Sequence, residues 1–143
     1  MNWTLKQTVV VPTDFSDESF SALDTALDMV DQPAGMHLIH VLYKMSSAEP
    51  AEIVPTVDHD ARRHHAMLAL RERLTEAKYD KVQIEVAFGD ASHEITEFAD
   101  RIGAELVVLP SHGRTGLTRL LIGSVAERVV RLAYCPVLVL RRS

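Results

Sequence analysis

The chain has 143 residues, a length that predicts a single domain over residues 1–143 and leaves no room for a second one. Hydrophobic residues make up 47% of the chain and charged residues 24%, which argues against a largely disordered protein. The net charge of −5 argues against nonspecific binding of nucleic acid, and no apolar run is long enough for membrane insertion. The chain has one cysteine, which excludes an internal disulfide, and no signal-peptide pattern is visible, so we expect a cytoplasmic protein.

Five short β-rich runs alternate with four amphipathic stretches along the chain. The runs predict strands over residues 8–12, 36–43, 82–88, 105–109 and 136–140. The predicted helices extend from Ser16 to Val30, from the polar loop 44–56 to about Lys78, from Asp90 to Gly103, and from Ser124 through Leu132. Ser16 and Asp90 are predicted N-caps, and the pattern Ser124-x-x-Glu127 predicts a capping box at the start of the last helix.

This alternation predicts an α/β fold, an open parallel five-stranded sheet with helices on both faces. Ligands of such sheets bind beyond the carboxyl ends of the strands, where the strand order reverses. For the order 3-2-1-4-5 the reversal lies between strands one and four. The segments that leave these strands are Pro12-Thr13-Asp14 and Pro110-Ser111-His112-Gly113, so both are expected at one crevice.

The second of these segments continues as Arg114-Thr115-Gly116 and reaches Gly123-Ser124 at the start of the last predicted helix. Glycines allow close approach of a ligand to the backbone, and a helix start offers unpaired N–H groups to an anion. The pattern is neither a Walker A loop nor the Rossmann fingerprint. Two interpretations stay open at this point: a phosphate site, or glycines that only shape a loop beside a helix cap.

Histidines and the cysteine give weaker signals. The chain has seven histidines, but His64 and His65 are adjacent and point in different directions on a helix, and we expect neither a Glu/His cluster nor a bound metal. His40 is expected to be a satisfied core residue, and Cys135 a packing thiol. Asp14 is positioned to accept from a sugar hydroxyl or a base amine, or else to bond its own turn. His112 is placed to reach a phosphate or to lie in a surface loop.

The chain resembles the universal stress protein family over its whole length, through four motifs in order: VVVPTDFS, LIHV, PSHGRTG followed by GSVAERVV, and CPVLVLR. Nine residues separate Gly113 of PSHGRTG from Gly123 of GSVAERVV. The resemblance implies a Rossmann-like adenine-nucleotide-binding domain with strand order 3-2-1-4-5. It implies ATP as the ligand, with ADP or AMP as alternatives and Mg²⁺ accompanying the nucleotide.

By similarity, Pro12, Thr13 and Asp14 would contact adenosine, while Val41 and Leu109 would line the base pocket. Residues of the glycine-bearing loop and of the following helix would hold the phosphates; these are Gly113, Gly123, Ser124 and Val125, with His112 and Arg114 as further candidates of the same loop.

Pro110 departs from the family's pattern Gly-x2-Gly-x9-Gly-Ser/Thr, because it stands at the first glycine. Proline has no N–H, and the loss of one hydrogen bond costs about 0.5–1.5 kcal/mol. We expect weaker ATP binding and a shifted preference among ATP, ADP and AMP.

The last strand, residues 136–140, is uniformly apolar and lies at a sheet edge in this order, so pairing with its copy predicts a homodimer. The function expected is a cytoplasmic stress-response protein that binds an adenine nucleotide and at most hydrolyses ATP slowly. The alternative is a nucleotide-independent dimeric module that recognises a still unidentified protein partner. A phospho-receiver domain is excluded, because the required lysine after strand five is missing.

Overall fold

A computed structural model describes residues 5–43, 59–112 and 122–141. The strands are β1 (Val9–Pro12), β2 (Met36–Leu42), β3 (Gln83–Phe88), β4 (Leu106–Pro110) and β5 (Val137–Leu140). The helices are α1 (Asp17–Leu27), α2 (His59–Arg73), α3 (Ala91–Arg101) and α4 (Ser124–Leu132), with single 3-10 turns at Pro33–Gly35 and Ala77–Tyr79. None of the helices in these three segments is both long and apolar enough to cross a membrane.

The five strands form one parallel sheet in the order β3-β2-β1-β4-β5, which confirms the predicted topology. β1 pairs with β2 along its whole length, Val9 to Pro12, but with β4 only at Val9 and Val10. The sheet therefore opens between the carboxyl ends of β1 and β4, at the predicted crevice.

Two prolines explain why the sheet opens there. Thr13 N–H donates to Ile39 O of β2, and Ser111 N–H donates to Leu140 O of β5. Because successive residues of a strand direct their N–H groups to opposite sides, the nitrogens of the preceding residues, Pro12 and Pro110, face each other's strand. Proline has no N–H to donate, so neither strand can donate to the other at this level.

The sheet is buried on both faces, as the nearly continuous apolar strands predict. Val9 and Val11 pack with α1 and α2 in one cluster, and Val10 packs with α3 and α4 in the other. All three valines are fully buried. The strand period of two thus divides β1 between two cores, and each helix pair covers one of them.

Two of the predicted helix caps are confirmed. The hydroxyl of Ser16 accepts from Ser19 N–H at 3.2 Å at the start of α1. Asp90 Oδ2 accepts from His93 N–H at 3.0 Å at the start of α3. Its Oδ1 accepts from Arg128 of α4 at 3.1 Å, so this one carboxylate caps α3 and ties it to α4.

Three predicted boundaries are wrong. α1 ends at Leu27, and Val30 instead forms an isolated bridge with Lys6. α2 ends at Arg73 rather than near Lys78, because Tyr79 of the separate 3-10 turn is buried and donates to Asp24 of α1. The predicted capping box is absent: α4 begins at Ser124, and its N-cap is Gly123, as described with the site below.

The cap at Asp90 gives a stability prediction. The His93 N–H, then the Ser92 hydroxyl, then Arg128 hold the pKa of the Asp90 carboxyl below its usual value. Its stabilising effect is therefore present above the unfolded-state pKa of about 3.9 and is lost as the pH falls through the lower, folded-state pKa. Asp90→Ala should cost about 1 kcal/mol at neutral pH, measured by urea unfolding. Asp90→Asn retains a cap oxygen but not the charge that pairs with Arg128, so it should lose only part of this stability at neutral pH; a loss equal to that of Asp90→Ala would contradict the capping role.

Candidate functional site

A cavity of about 300 Å³ lies where β1 and β4 separate. Its walls on the sheet side come from the carboxyl ends of β1, β2 and β4, including Ile39 and Ser111. Its helical walls are Ala91 and Ile95 of α3 and the start of α4. The cavity is mostly apolar with polar groups at the strand ends and at the start of α4, which is the usual composition of a small-molecule site.

Most of the candidate residues predicted from the sequence line this one cavity. They are Pro12, Thr13, Asp14, Val41, Leu109, Pro110, Gly123, Ser124 and Val125. Gly113 and Arg114 lie outside the described residues. The topology brings the lining residues together from four separate stretches of sequence, as the crevice argument predicts.

His112 is placed elsewhere. It is buried and lines a second cavity of about 420 Å³, beside Thr25 of α1 and Arg141 after β5. The reason is the alternation of side chains along β4. Leu109 packs toward α3 and α4, whereas Val108 packs toward α1 and α2. His112 is four residues after Val108 and therefore lies on the side of α1 and α2. The Nδ1 atom of His112 is hydrogen-bonded to Ser111 Oγ at 3.0 Å.

The turn after β1 is held by its own hydrogen bonds. Asp14 Oδ1 accepts from Ser16 N–H at 3.0 Å, and Thr13 Oγ1 accepts from Phe15 N–H at 3.1 Å. Phe15 has a φ of 67°, a left-handed conformation that costs a non-glycine residue about 1–2 kcal/mol. Such a conformation persists only where the surroundings determine it, and it is common at ligand clamps.

His40 supports this turn from the neighbouring strand, a role that the sequence analysis missed. Its Nδ1 lies 2.8 Å from Thr13 O, and its ring meets the Phe15 ring edge-on at 4.8 Å between centroids. A carbonyl oxygen can only accept, so Nδ1 carries the hydrogen. The expected hydrogen bond of this histidine is confirmed, but its expected place in the core is wrong, because His40 is only half-buried and lines the cavity. The sequence signal for its role is a polar residue beside Val41, in the strand that pairs with β1.

The start of α4 faces the cavity without a side-chain cap. Gly123 is the N-cap in extended conformation, and no side chain caps the helix there. Its carbonyl accepts from Glu127 N–H at 3.0 Å, the first hydrogen bond of the helix. The N–H groups of Ser124, Val125 and Ala126 precede that bond and have no acceptor within the helix. Together with the Ser124 hydroxyl, they make this end of the cavity a site for an anion.

The capping box fails for a visible reason. With Gly123 as the N-cap, Glu127 is the fourth helical residue, whereas a capping box needs the acid at the third. Its carboxylate pairs instead with Arg131, one turn further along α4, at 2.5 Å. Ser124 is therefore the first helical residue, and its hydroxyl is not used as a cap. The consequence for the site is favourable, since a side-chain cap would occupy donors that a ligand can use.

The expectation that no Glu/His cluster exists is wrong. His93, Glu94 and Glu97 of α3 bring one ligand atom each within 4.8 Å of one another. His93 Nε2 lies 3.0 Å from Glu97 Oε2, a His-x3-Glu pair on one helix face that a search for paired histidines overlooks. The side chains of His93 and Glu97 are more than half exposed, an arrangement typical of a solvated surface pair.

Cys135 is half-buried against the α3 and α4 core, and burial raises the pKa of its thiol. This agrees with the predicted packing role, since a raised pKa lowers the thiolate fraction and hence the reactivity.

Comparison with known proteins decides the family. The model of the universal stress protein family matches residues 6–141. The chain belongs to the universal stress protein family. A universal stress protein of Methanocaldococcus jannaschii is 34% identical over 142 residues, covering 96% of this chain and 84% of the relative. Members of this family act in the response to stress.

Solved structures confirm the fold. The universal stress protein UspA from Lactobacillus plantarum superposes with a TM-score of 0.74 at 25% identity, covering 99% of each chain. A universal stress protein solved in complex with cAMP superposes with a TM-score of 0.65 at 24% identity, covering 96% of this chain and 99% of that one. The shared fold is the Rossmann-like sheet described above.

Proposed function

We propose that this universal stress protein binds an adenine nucleotide in the cavity between β1 and β4, and that residues 1–143 act as one domain. The observation that carries the proposal is the uncapped start of α4, which points three N–H groups and the Ser124 hydroxyl into an apolar cavity. A protein of the same fold has been solved with cAMP, which supports an adenine nucleotide over other anions.

The residues present fit such a ligand. Ile39, Val41 and Ile95 supply apolar surface for a base. Asp14, held by Ser16 N–H, supplies a carboxylate for a sugar hydroxyl or a base amine. The start of α4 supplies donors for phosphate, and Gly123 lets this helix start pack closely against the end of β4, since a Cβ there would lie 3.1 Å from Ser111 O. Bound Mg²⁺ would accompany the nucleotide and neutralise part of its phosphate charge.

Calorimetric titration tests this proposal with AMP, ADP and ATP, each with and without Mg²⁺. Ser124→Ala should weaken binding roughly 10- to 150-fold, because one hydrogen bond to a charged phosphate, of about 1.5–3 kcal/mol, is lost. Ser21→Ala is the matched control, since Ser21 lines the second cavity and should leave affinity unchanged. If no nucleotide binds at millimolar concentration, the proposal is wrong and the nucleotide-independent interaction module takes its place.

We also propose a homodimer through β5. All four residues of Val137–Leu140 are only half-buried, and β5 pairs with β4 alone among the described strands. Beside this edge, α4 exposes further apolar side chains, among them Val130 at 50% and Leu132 at 42%. Pairing of β5 with its copy would cover the open edge and extend one sheet across both protomers.

A further inference from the structure

β3 is the outer strand at the edge of the sheet opposite β5. It spans Gln83–Phe88, and Glu85 is its one charged residue. A β-rich run with little charge at a sheet edge offers its free backbone groups to other chains, which favours aggregation. Natural proteins protect such an edge with charged side chains or with cover from another element.

The hydrogen bonds to β2 show which backbone groups of β3 face outward. Gly89 N–H, directly after the strand, donates to Leu42 O of β2 at 3.0 Å. Successive residues of a strand direct their backbone groups to opposite sides. Val82, Ile84 and Val86 therefore direct theirs away from β2, and the outer edge of the sheet runs along these residues.

Two arginines of α2 donate to carbonyls of this outer edge. Arg63 Nε donates to Val86 O at 3.4 Å, and Arg71 Nη2 donates to Val82 O at 3.3 Å. The pairs run in opposite order along the chain, so α2 is antiparallel to β3. Eight residues of helix rise about 12 Å, and four residues of strand rise about 13 Å. The spacing of the arginines therefore matches the spacing of the two carbonyls.

These bonds make the outer edge of β3 a poor partner for another strand. A strand that pairs there needs the carbonyls of Val82 and Val86 as acceptors, and each already accepts from a guanidinium group. The arginines also bring two positive charges to the edge, which opposes pairing. The Phe88 ring lies 5.1 Å from the guanidinium carbon of Arg63 and helps to hold that group in place. Another chain must therefore displace both side chains to pair with β3.

The two edges of the sheet thus differ in the contacts that they allow, because β5 is apolar and half-buried along Val137–Leu140. We propose that Arg63 and Arg71 close the β3 edge, so that association through the sheet stops at two copies joined by β5. In such a pair both outer strands are β3, and with these edges open the pairs would join end to end into a filament. The closure does not rest on nucleotide binding, and it is a property of each copy, with or without the dimer.

The test replaces both arginines of the full chain, Arg63→Ala together with Arg71→Ala, and measures the mass by light scattering with size exclusion at micromolar concentration. The double variant should form particles of at least about twice the wild-type mass, in a fraction that rises with concentration. Hydrogen exchange should show residues 82–88 more protected in these particles than in the wild type, because the outward N–H groups of β3 are then paired.

Arg73→Ala together with Arg101→Ala is the matched control, and it should keep the wild-type mass. It removes the same number of positive charges, one from α2 and one from α3. Arg73 resembles Arg63 in its other contacts, since it pairs with Asp17 at 3.4 Å and lies 4.3 Å from the centre of the Phe20 ring.

Each contrary outcome overturns the proposal. A folded double variant with the wild-type mass would show that the two arginines do not close the edge. Equally large particles in the control would assign the effect to lost charge. Large particles whose added protection lies at residues 137–140 instead of 82–88 would place the new contact at β5. If circular dichroism shows the double variant unfolded, Arg63→Ala alone is compared with Arg73→Ala alone, and equal masses would contradict the closure.

Discussion

Replacing Gly123 with valine should lower the affinity for nucleotide by at least about 100-fold. The Cβ of any side chain at this N-cap lies 3.1 Å from Ser111 O, and the two methyl groups of valine extend beyond it at the start of α4. We expect this contact to displace the start of α4, so that the N–H groups of its first turn no longer converge on phosphate. Loss of two hydrogen bonds to a charged group, at about 1.5–3 kcal/mol each, gives a reduction of this size. Calorimetric titration with AMP measures the effect.

A control separates a local displacement of the α4 start from unfolding of the whole protein. Gly123 has a φ of −61°, which valine and alanine both adopt, so the backbone itself does not demand glycine. Gly123→Ala adds the Cβ without the methyl groups and should give an intermediate affinity. Thermal unfolding of both variants establishes that they are folded. A folded Gly123→Val protein with unchanged affinity would show that the start of α4 does not bind the nucleotide.

Replacing Val139 with proline should convert the proposed dimer into a monomer. Ser111 and Val107 donate to the carbonyls of Leu140 and Pro136, so Leu140 of β5 and Pro136 just before the strand both face β4. By alternation, the N–H of Val139 points outward from the sheet edge, where a partner strand would pair. Proline at position 139 removes an intermolecular donor and costs no hydrogen bond within the protomer. Edge strands tolerate proline at positions whose nitrogen faces away from the sheet.

Light scattering with size exclusion at micromolar concentration measures this change. Wild type and the control Val139→Ala should have the mass of a dimer, and Val139→Pro the mass of a monomer with wild-type circular dichroism. A dimeric Val139→Pro protein would place the interface elsewhere, and a monomeric wild type would remove the dimer proposal altogether.

The sequence predicted the sheet well because its signals are local or topological. Runs such as the valines before Pro12 can be buried on both faces only in a covered parallel sheet, and the structure has that sheet. The caps at Ser16 and Asp90 follow from short polar side chains directly before an amphipathic stretch. The crevice followed from strand order, and nine of the candidate residues line it.

The remaining features depend on contacts between distant residues. The position of the α4 cap was missed by one residue: the N-cap is Gly123, whose N–H donates to Ser111 O at the end of β4. The end of α2 depends on Tyr79 meeting Asp24, 55 residues away in sequence. The face on which His112 lies depends on which residues of β4 point to each side of the sheet. The role of His40 depends on its hydrogen bond to Thr13 O, at the end of the neighbouring strand. Motif spacing contains none of this information.

Amide-shift mapping by NMR during titration with AMP tests the central claim most directly, because it reports where a nucleotide binds as well as whether it binds. We predict saturable shifts at the amides of Asp14, Val41, Ser124 and Val125, which line the cavity between β1 and β4. The amides of Thr25 and Arg141, which line the second cavity, should not move. Shifts confined to the second cavity, or no saturable shifts at all, would contradict the account.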